Sequence, residues 1–242
     1  MPRRLTMILP STATFTSLTF GVIAIMVLSE QKFFLAGMLI FLGCLLDVLD
    51  GQLAQRLDAS TEMGKQLDSL ADLVTFGVAP TILLYNLMLL VGVYKPIAVL
   101  TSMSFVLAGA FRLARFNTMP TDRTAYFKGM PIPMASAILI SGSFWQHWTI
   151  NLWWIGAMLM VSYLMVSTFS YPKVKHLAKI PRLVWVFMSM IALLCWLVAG
   201  WQAVPFGIAL LYAISGPIIS TFFVAQRRRH RHRLPSITEG DK

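Results

Sequence analysis

Apolar runs recur along this chain at close to the length that crosses a lipid bilayer, and that recurrence leaves few folds open. The runs lie near residues 12–29, 33–53, 67–90, 97–114, 131–148, 152–170, 183–201 and 203–225. Each approaches the ~20 residues that a bilayer-crossing helix needs. Inside lipid no water pairs with the backbone, so every N–H and C=O must find its partner within the segment, which an α-helix achieves. Composition agrees: 57% of the residues are hydrophobic and only 12% charged, proportions foreign to a soluble domain. The expected fold is all-α, an integral membrane protein of about eight transmembrane helices. Residues 1–226 form one polytopic membrane domain and 227–242 a basic tail, with no separate soluble domain.

Four carboxylates interrupt this pattern between Asp47 and Asp72, in the stretch DVLDGQLAQRLDASTEMGKQLDSLAD. An ionised carboxylate in an apolar medium is costly, so intramembrane acids face a polar interior and pair with something or bind a cation. At about 100° per residue, Asp47, Asp50, Gly51 and Ala54 share about 100° of one helix face. Gly64, Asp68, Ala71, Asp72 and Thr75 make a second stripe of the same width, about 100°. A polar turn, Asp58 to Met63, joins the two, which makes them antiparallel neighbours with their acids at one depth. Carboxylates from two facing helices are hard oxygen ligands suited to Mg²⁺ or Mn²⁺, ions that leave positions open for substrate phosphates. Gly51 and Ala54, nearly without side chains, admit a charged ligand to the helix backbone beside the metal.

A net charge of +10 could point to nucleic acid, but its distribution describes topology instead. With a cytoplasmic N-terminus, all 20 Lys and Arg except Lys32 and Lys95 fall in the tails, the even-numbered loops or their helix ends. Both termini and the acidic pocket are therefore expected on the cytoplasmic side. The tail RRRHRHR, residues 227–233, reads as an anchor on anionic lipid. Cys44 and Cys195 sit in apolar spans and read as buried hydrophobes. The first span is too long for a cleaved signal peptide and reads as retained, preceded by a short interfacial helix over Leu5–Leu9. Trp145, Trp148, Trp153, Trp154 and Trp201 gather at external span ends as an interfacial belt does. Pro80 removes one backbone hydrogen bond and is expected to bend the third span.

Span four ends in AGAFRLARFN, followed by a loop that reads TDRTAYFKGMPIP. Arg112 and Arg115 lie three apart on one helix face at the level of the acids. Two readings stay open: snorkelling to lipid headgroups, or an anion site whose guanidinium forks match carboxylate and phosphate oxygens. Lys128, next to Gly129, could contribute to the second from its loop. Spans seven and eight carry neither acid nor base and read as packing or oligomer contacts.

The arrangement Asp47-x-x-Asp50-Gly51-x-x-Ala54, followed by Gly64-x-x-x-Asp68-x-x-x-Asp72, resembles the signature of the CDP-alcohol phosphotransferase family. One position departs, since the family has Arg directly after the Ala and this chain has Gln55, with Arg56 one step later. On an ideal helix Gln55 lies about 80° from Asp47 and borders the pocket, whereas Arg56 lies about 180° away. The resemblance covers a core of about residues 10–172 and leaves 183–225 as two extra helices. Within the family, the pairing of FRLARFN with FKGMPIP, and the run from Tyr163 to Pro172, are similar to the phosphatidylserine synthase branch.

That resemblance implies a phosphatidyl transfer from CDP-diacylglycerol to an alcohol, L-serine in this branch, with CMP released. It implies Asp47, Asp50, Asp68 and Asp72 as ligands of Mg²⁺ or Mn²⁺, two ions in all, with Asp72 as general base. Gly51, Ala54, Gly64 and Thr14 would lie near the CDP moiety, Thr14 because family members carry Pro-Asn with a Thr three residues on where this chain has Pro10-Ser11 and Thr14. Arg112, Arg115 or Lys128 would hold the acceptor's anionic group. A homodimer in a bacterial or archaeal cell membrane is also implied. Glycerol 3-phosphate or inositol phosphate would suit the same cations, so the acceptor stays open among these. Two rivals explain intramembrane acids otherwise. A transporter scatters its acids over several helices, whereas these cluster in one hairpin, and a prenyltransferase carries two distant Asp-rich motifs, whereas no acid lies between Asp72 and Asp122.

Overall fold

The computed structural model describes residues 3–57, 61–118, 126–143, 153–172, 207 and 211–217. The described residues are mostly helical: α1 (Arg3–Ser29), α2 (Phe33–Leu57), α3 (Glu62–Asp72), a π-helical segment (Leu73–Val78), α4 (Ala79–Leu90), α5 (Lys95–Thr118), α6 (Ile132–Ser143) and α7 (Trp153–Val166). Residues 211–217 add a further helical segment. Glu62–Leu90 and Lys95–Thr118 are each long and apolar enough to cross a bilayer, and Thr14–Ser29, Phe33–Asp47, Ile132–Ser141 and Trp154–Val166 are shorter apolar stretches. The seventh expected span and most of the eighth lie outside the described residues.

Local chemistry sets the helix ends. At the end of α1, Lys32 N–H donates to Val27 O and Gln31 N–H to Leu28 O, with Gln31 at φ 59°. At the end of α4, Val93 N–H donates to Met88 O and Gly92 N–H to Leu89 O, with Gly92 at φ 81°. Both are Schellman closures, which satisfy the last carbonyls and reverse the chain within a few residues. In the first turn Lys32 Nζ lies 2.6 Å from Glu30, and that ammonium holds the Glu30 carboxyl below the usual carboxylate range. The turn between α2 and α3 is shorter than the sequence suggests. Thr61 caps α3 by accepting from Gly64 N–H at 3.0 Å, so Glu62 and Met63 are already helical.

One further expectation changes, at the N-terminus. The N-terminal residues do not form a separate interfacial helix: α1 runs unbroken from Arg3 through Pro10 to Ser29, since a proline within a helix forfeits only one bond of the ladder. Pro80 enters the first turn of α4 directly after the π-helical segment. There Ala79 N–H reaches back to Val74 O, and Thr81 Oγ1 donates to Gly77 O at 2.7 Å. The wider turn and the threonine hydroxyl re-pair carbonyls around the missing proline N–H.

The helices bury a shared core that includes Phe76, Leu83, Met88, Phe105, Ile132, Leu139, Met158 and Met165. Helix α1 lies along α2 and also meets α3, the π-helical segment and α4, while α5 packs on α7. Outward faces are apolar as well: Phe34, Leu35, Leu45, Leu100, Met103, Leu107, Phe111 and Met160 are exposed. A surface of that kind has lipid as its natural solvent. Trp154 departs from the expected interfacial belt, being buried against the core at 6% exposure. Trp145, Trp148 and Trp201 lie outside the described residues, as does the Trp153 side chain. One antiparallel strand pair, unforeseen from sequence, joins β1 (Tyr126–Lys128) to β2 (Ser170–Pro172) with Phe127 opposite Tyr171.

Candidate active site

Three helices meet where their side chains are smallest. Ser17 Oγ of α1 donates to Gly43 O of α2 at 3.3 Å, and Thr75 Oγ1 of the π-helical segment donates to Ser17 O at 3.2 Å. A Cβ on Gly21 would lie 2.6 Å from Thr75 Oγ1, and one on Gly43 would lie 2.9 Å from Thr75 Cγ2. Small residues let backbones approach this closely in a membrane bundle. One turn from this junction along each helix lie Thr14, Asp47 and Asp72. The junction therefore fixes the depth at which the acids meet, a role that sequence reading missed and that the small-residue pairing Gly21, Gly43 and Thr75 could have signalled.

Asp47 from α2 and Asp68 and Asp72 from α3 converge so that one carboxylate oxygen of each lies within 4.8 Å of the others. All three are half-buried, and Asp47 and Asp72 are within hydrogen-bonding reach of one another. Like charges this close cannot all remain ionised without positive charge among them. One source is Arg112 of α5, buried at 7% exposure and interacting electrostatically with Asp72 and Asp47. A single guanidinium against three carboxylates leaves two of them in excess, and an all-oxygen set from two helices suits a hard divalent cation. The cluster thus fits a metal such as Mg²⁺ or Mn²⁺.

The structure separates the two arginines that the sequence could not. Arg115 Nη1 donates to Val166 O at 2.8 Å, and Nη2 to Lys128 O at 3.1 Å and to Met165 O and Ser167 O at 3.2 Å. Its guanidinium carbon lies 5.8 Å from the centroid of the Phe111 ring. Arg115 therefore fastens the end of α7 and strand β1 to α5, by pairing carbonyls that a helix C-terminus leaves open. That engagement gives Arg115 carbonyl partners, whereas Arg112 Nε has no hydrogen-bond partner among the described residues. Lys128 is exposed and gives its carbonyl, not its ammonium, to this clamp.

Thr14 is buried, and Gly64 spends its N–H on the Thr61 cap. Asp50, Gly51, Ala54, Gln55 and Arg56 fall on α2, but their side chains lie outside the described residues. Two participants had gone unrecognised. Asn117 Nδ2 donates to Ser69 Oγ at 3.0 Å and to Gln66 Oε1 at 3.3 Å, tying the end of α5 to the helix that carries Asp68 and Asp72. Tyr212, from a span read as mere packing, stacks on Tyr171 with ring centroids 5.5 Å apart.

A family model described as CDP-alcohol phosphatidyltransferase matches residues 7–166, which contain all three clustered aspartates and Arg112. The CDP-diacylglycerol–serine O-phosphatidyltransferase of Bacillus subtilis is 38% identical over 169 residues, 69% of this chain and 91% of that protein. The enzyme of the same name from Helicobacter pylori is 34% identical over 203 residues, covering 79% of this chain and 84% of its own. That from Methanocaldococcus jannaschii is 35% identical over 182 residues, 74% of this chain and 81% of its own. With the aspartate spacing drawn together in space and the match extending over most of the helical core, this chain belongs to the CDP-alcohol phosphatidyltransferase family.

Proposed function

We propose that this protein transfers a phosphatidyl group from CDP-diacylglycerol to the hydroxyl of L-serine, giving phosphatidylserine and CMP. The observation that carries the reading is the meeting of Asp47, Asp68 and Asp72 within 4.8 Å beside a buried arginine, in a chain similar to enzymes named for that reaction. Asp47, Asp50, Asp68 and Asp72 would hold the divalent cations, two Mg²⁺ or Mn²⁺ ions. When bound, such ions neutralise the charge that builds on the diphosphate oxygens as CMP leaves. Asp72 accepts the proton of the serine hydroxyl. The serine oxygen bonds to the phosphatidyl phosphorus, and the bond from that phosphorus to the bridging oxygen breaks, its electron pair leaving with CMP. Thr14, Gly51, Ala54 and Gly64 line the place of the CDP moiety. Arg112 pairs with the serine carboxylate.

The same reading extends to the whole chain. Eight helices span the membrane, residues 1–226 forming the membrane domain and 227–242 a basic tail. Both termini and the acidic pocket face the cytoplasm of a bacterial or archaeal cell, and the protein works as a homodimer. The deciding experiment incubates purified protein with CDP-diacylglycerol, Mg²⁺ or Mn²⁺, and L-serine, glycerol 3-phosphate or inositol phosphate in turn. CMP release is expected with serine and should stop with EDTA. Faster release with either phosphorylated alcohol would overturn the acceptor assignment.

A further inference from the structure

Asp68 and Asp72 stand on a helix that packing alone holds poorly. Among the described residues of α3 only Ala71 is buried, while Met63 and Leu70 are 82% and 63% exposed and Glu62, Lys65 and Gln66 are exposed as well. A stretch with so few buried apolar contacts has little to fix its rotation. Rotation matters, because a turn of about 20° carries a side-chain end, roughly 5 Å from the helix axis, through roughly 2 Å. That is several times the ~0.5 Å within which a binding constellation must be held, and Asp47, Asp68 and Asp72 meet within 4.8 Å.

Helix α5 supplies the restraint through Asn117, in its last turn. Asn117 Nδ2 donates to Ser69 Oγ at 3.0 Å and to Gln66 Oε1 at 3.3 Å, and Ser69 Oγ donates onward to Lys65 O at 3.1 Å. These bonds use both hydrogens of the amide and the one of the hydroxyl. On an ideal helix Ser69 lies about 60° round from Asp72 and about 100° from Asp68, with Gln66 about 60° further on. Asn117 therefore grips the flank of α3 beside the acids, where a grip resists rotation. Its own helix is anchored at the same end, since Arg115 pairs with the carbonyls of Lys128, Met165, Val166 and Ser167.

We propose that Asn117 is a positioning residue for the acidic cluster: through Ser69 and Gln66 it sets the rotation of α3 at which Asp68 and Asp72 meet Asp47 as ligands of a divalent cation. This rests on the reading of the acids as a metal site. The test uses the full-length protein in detergent. Mn²⁺ binding is followed without substrate by the loss of the free-ion electron paramagnetic resonance signal, and CMP release is then measured with CDP-diacylglycerol and L-serine. Asn117→Ala should weaken Mn²⁺ binding about tenfold, the size of two neutral hydrogen bonds and the low end of what groups that orient metal ligands contribute. The Mn²⁺ concentration for half-maximal CMP release should rise by the same factor, with both KM values at saturating Mn²⁺ within about twofold.

Ser69→Ala provides a second variant that a merely structural role would not move, because alanine is the better helix former. It should keep its thermal midpoint and still weaken Mn²⁺ binding about fivefold, as one lost hydrogen bond does. If Asn117 acts through Ser69, the double variant should bind Mn²⁺ about as Asn117→Ala does, about tenfold weaker, rather than the about fiftyfold of independent effects. Mn²⁺ binding unchanged in either single variant overturns the proposal, and so does a multiplicative double variant. If the unaltered protein releases CMP and takes up no Mn²⁺, the metal reading fails separately. The Asn117 assignment is then decided by turnover: a fall in kcat of about tenfold in Asn117→Ala at unchanged KM values supports it, and an unchanged kcat removes it.

Discussion

Asparagine keeps the shape of aspartate and loses its charge, so the acids can be tested without disturbing the packing around Ser17, Gly43 and Thr75. Asp47→Asn, Asp68→Asn and Asp72→Asn should each fold and lose at least about 100-fold in CMP release, the scale of one strong electrostatic contact to a transition state. Activity persisting in all three would remove the metal mechanism. Arg112 and Arg115 should part company. Arg112→Ala should raise the KM for serine while leaving that for CDP-diacylglycerol nearly unchanged, because its guanidinium is buried beside the acids with Nε open. Arg115→Lys keeps the charge but cannot bridge the carbonyls of Lys128, Met165, Val166 and Ser167 at once, and should lower the thermal midpoint. Equal effects on serine KM from both would contradict this division. At the family's arginine position, Gln55→Arg should be active with CDP-diacylglycerol bound at least as tightly, and Arg56→Ala should change turnover little. Loss of turnover in Arg56→Ala alone would mean that Arg56 reaches the place about 180° away from Asp47 on an ideal helix.

Among the elements, the strand pair β1–β2 depends on one glycine. Gly129 has φ 78°, its N–H donates to Phe169 O at 2.8 Å, and a Cβ there would meet Met165 O and Arg115 Nη2. Gly129→Ala should destabilise the protein by at least about 1 kcal/mol from the backbone conformation alone, and more because Arg115 must move. A thermal midpoint unchanged by this substitution would show that the clamp does not hold the strand pair. The α3 N-terminus is a milder case. Thr61→Ala removes the acceptor for Gly64 N–H and should cost about 1 kcal/mol, measured by detergent-solubilised unfolding. The π-helical segment Leu73–Val78 places Thr75 against Ser17 directly after Asp72, so the wide turn both accommodates Pro80 and sets the last acid of the cluster.

For the whole molecule, charge distribution carries the expected orientation. A cysteine in place of Ser236, in a protein whose Cys44 and Cys195 are first replaced by alanine, should resist a membrane-impermeant thiol reagent in intact cells and react once the membrane is opened. Labelling from outside would reverse the orientation and put the acidic cluster on the wrong face for a nucleotide-linked lipid. The apolar outer faces of α2 and α5 make the same point about solvent: in water such a surface would aggregate, whereas in lipid it costs nothing to expose.

The sequence by itself determined that the described core is built of apolar helices and that Asp47, Asp68 and Asp72 meet, because hydrophobic run length and the four-residue spacing of Asp68 and Asp72 are local properties. It also carried the likeness to the family, since Gly51, Ala54 and Gly64 keep fixed distances from those acids along the chain. It could not separate Arg112 from Arg115: both are cations on one face of α5, and only the carbonyls at the end of α7, about fifty residues away along the chain, together with that of Lys128, engage one and leave the other. Nor could it place Tyr212, an aromatic residue in an apolar run, against the buried Tyr171 ring. Those assignments depend on contacts between segments distant in sequence, and the close approach of α1, α2 and the π-helical segment at Gly21, Gly43 and Thr75 is what the tertiary structure alone decided.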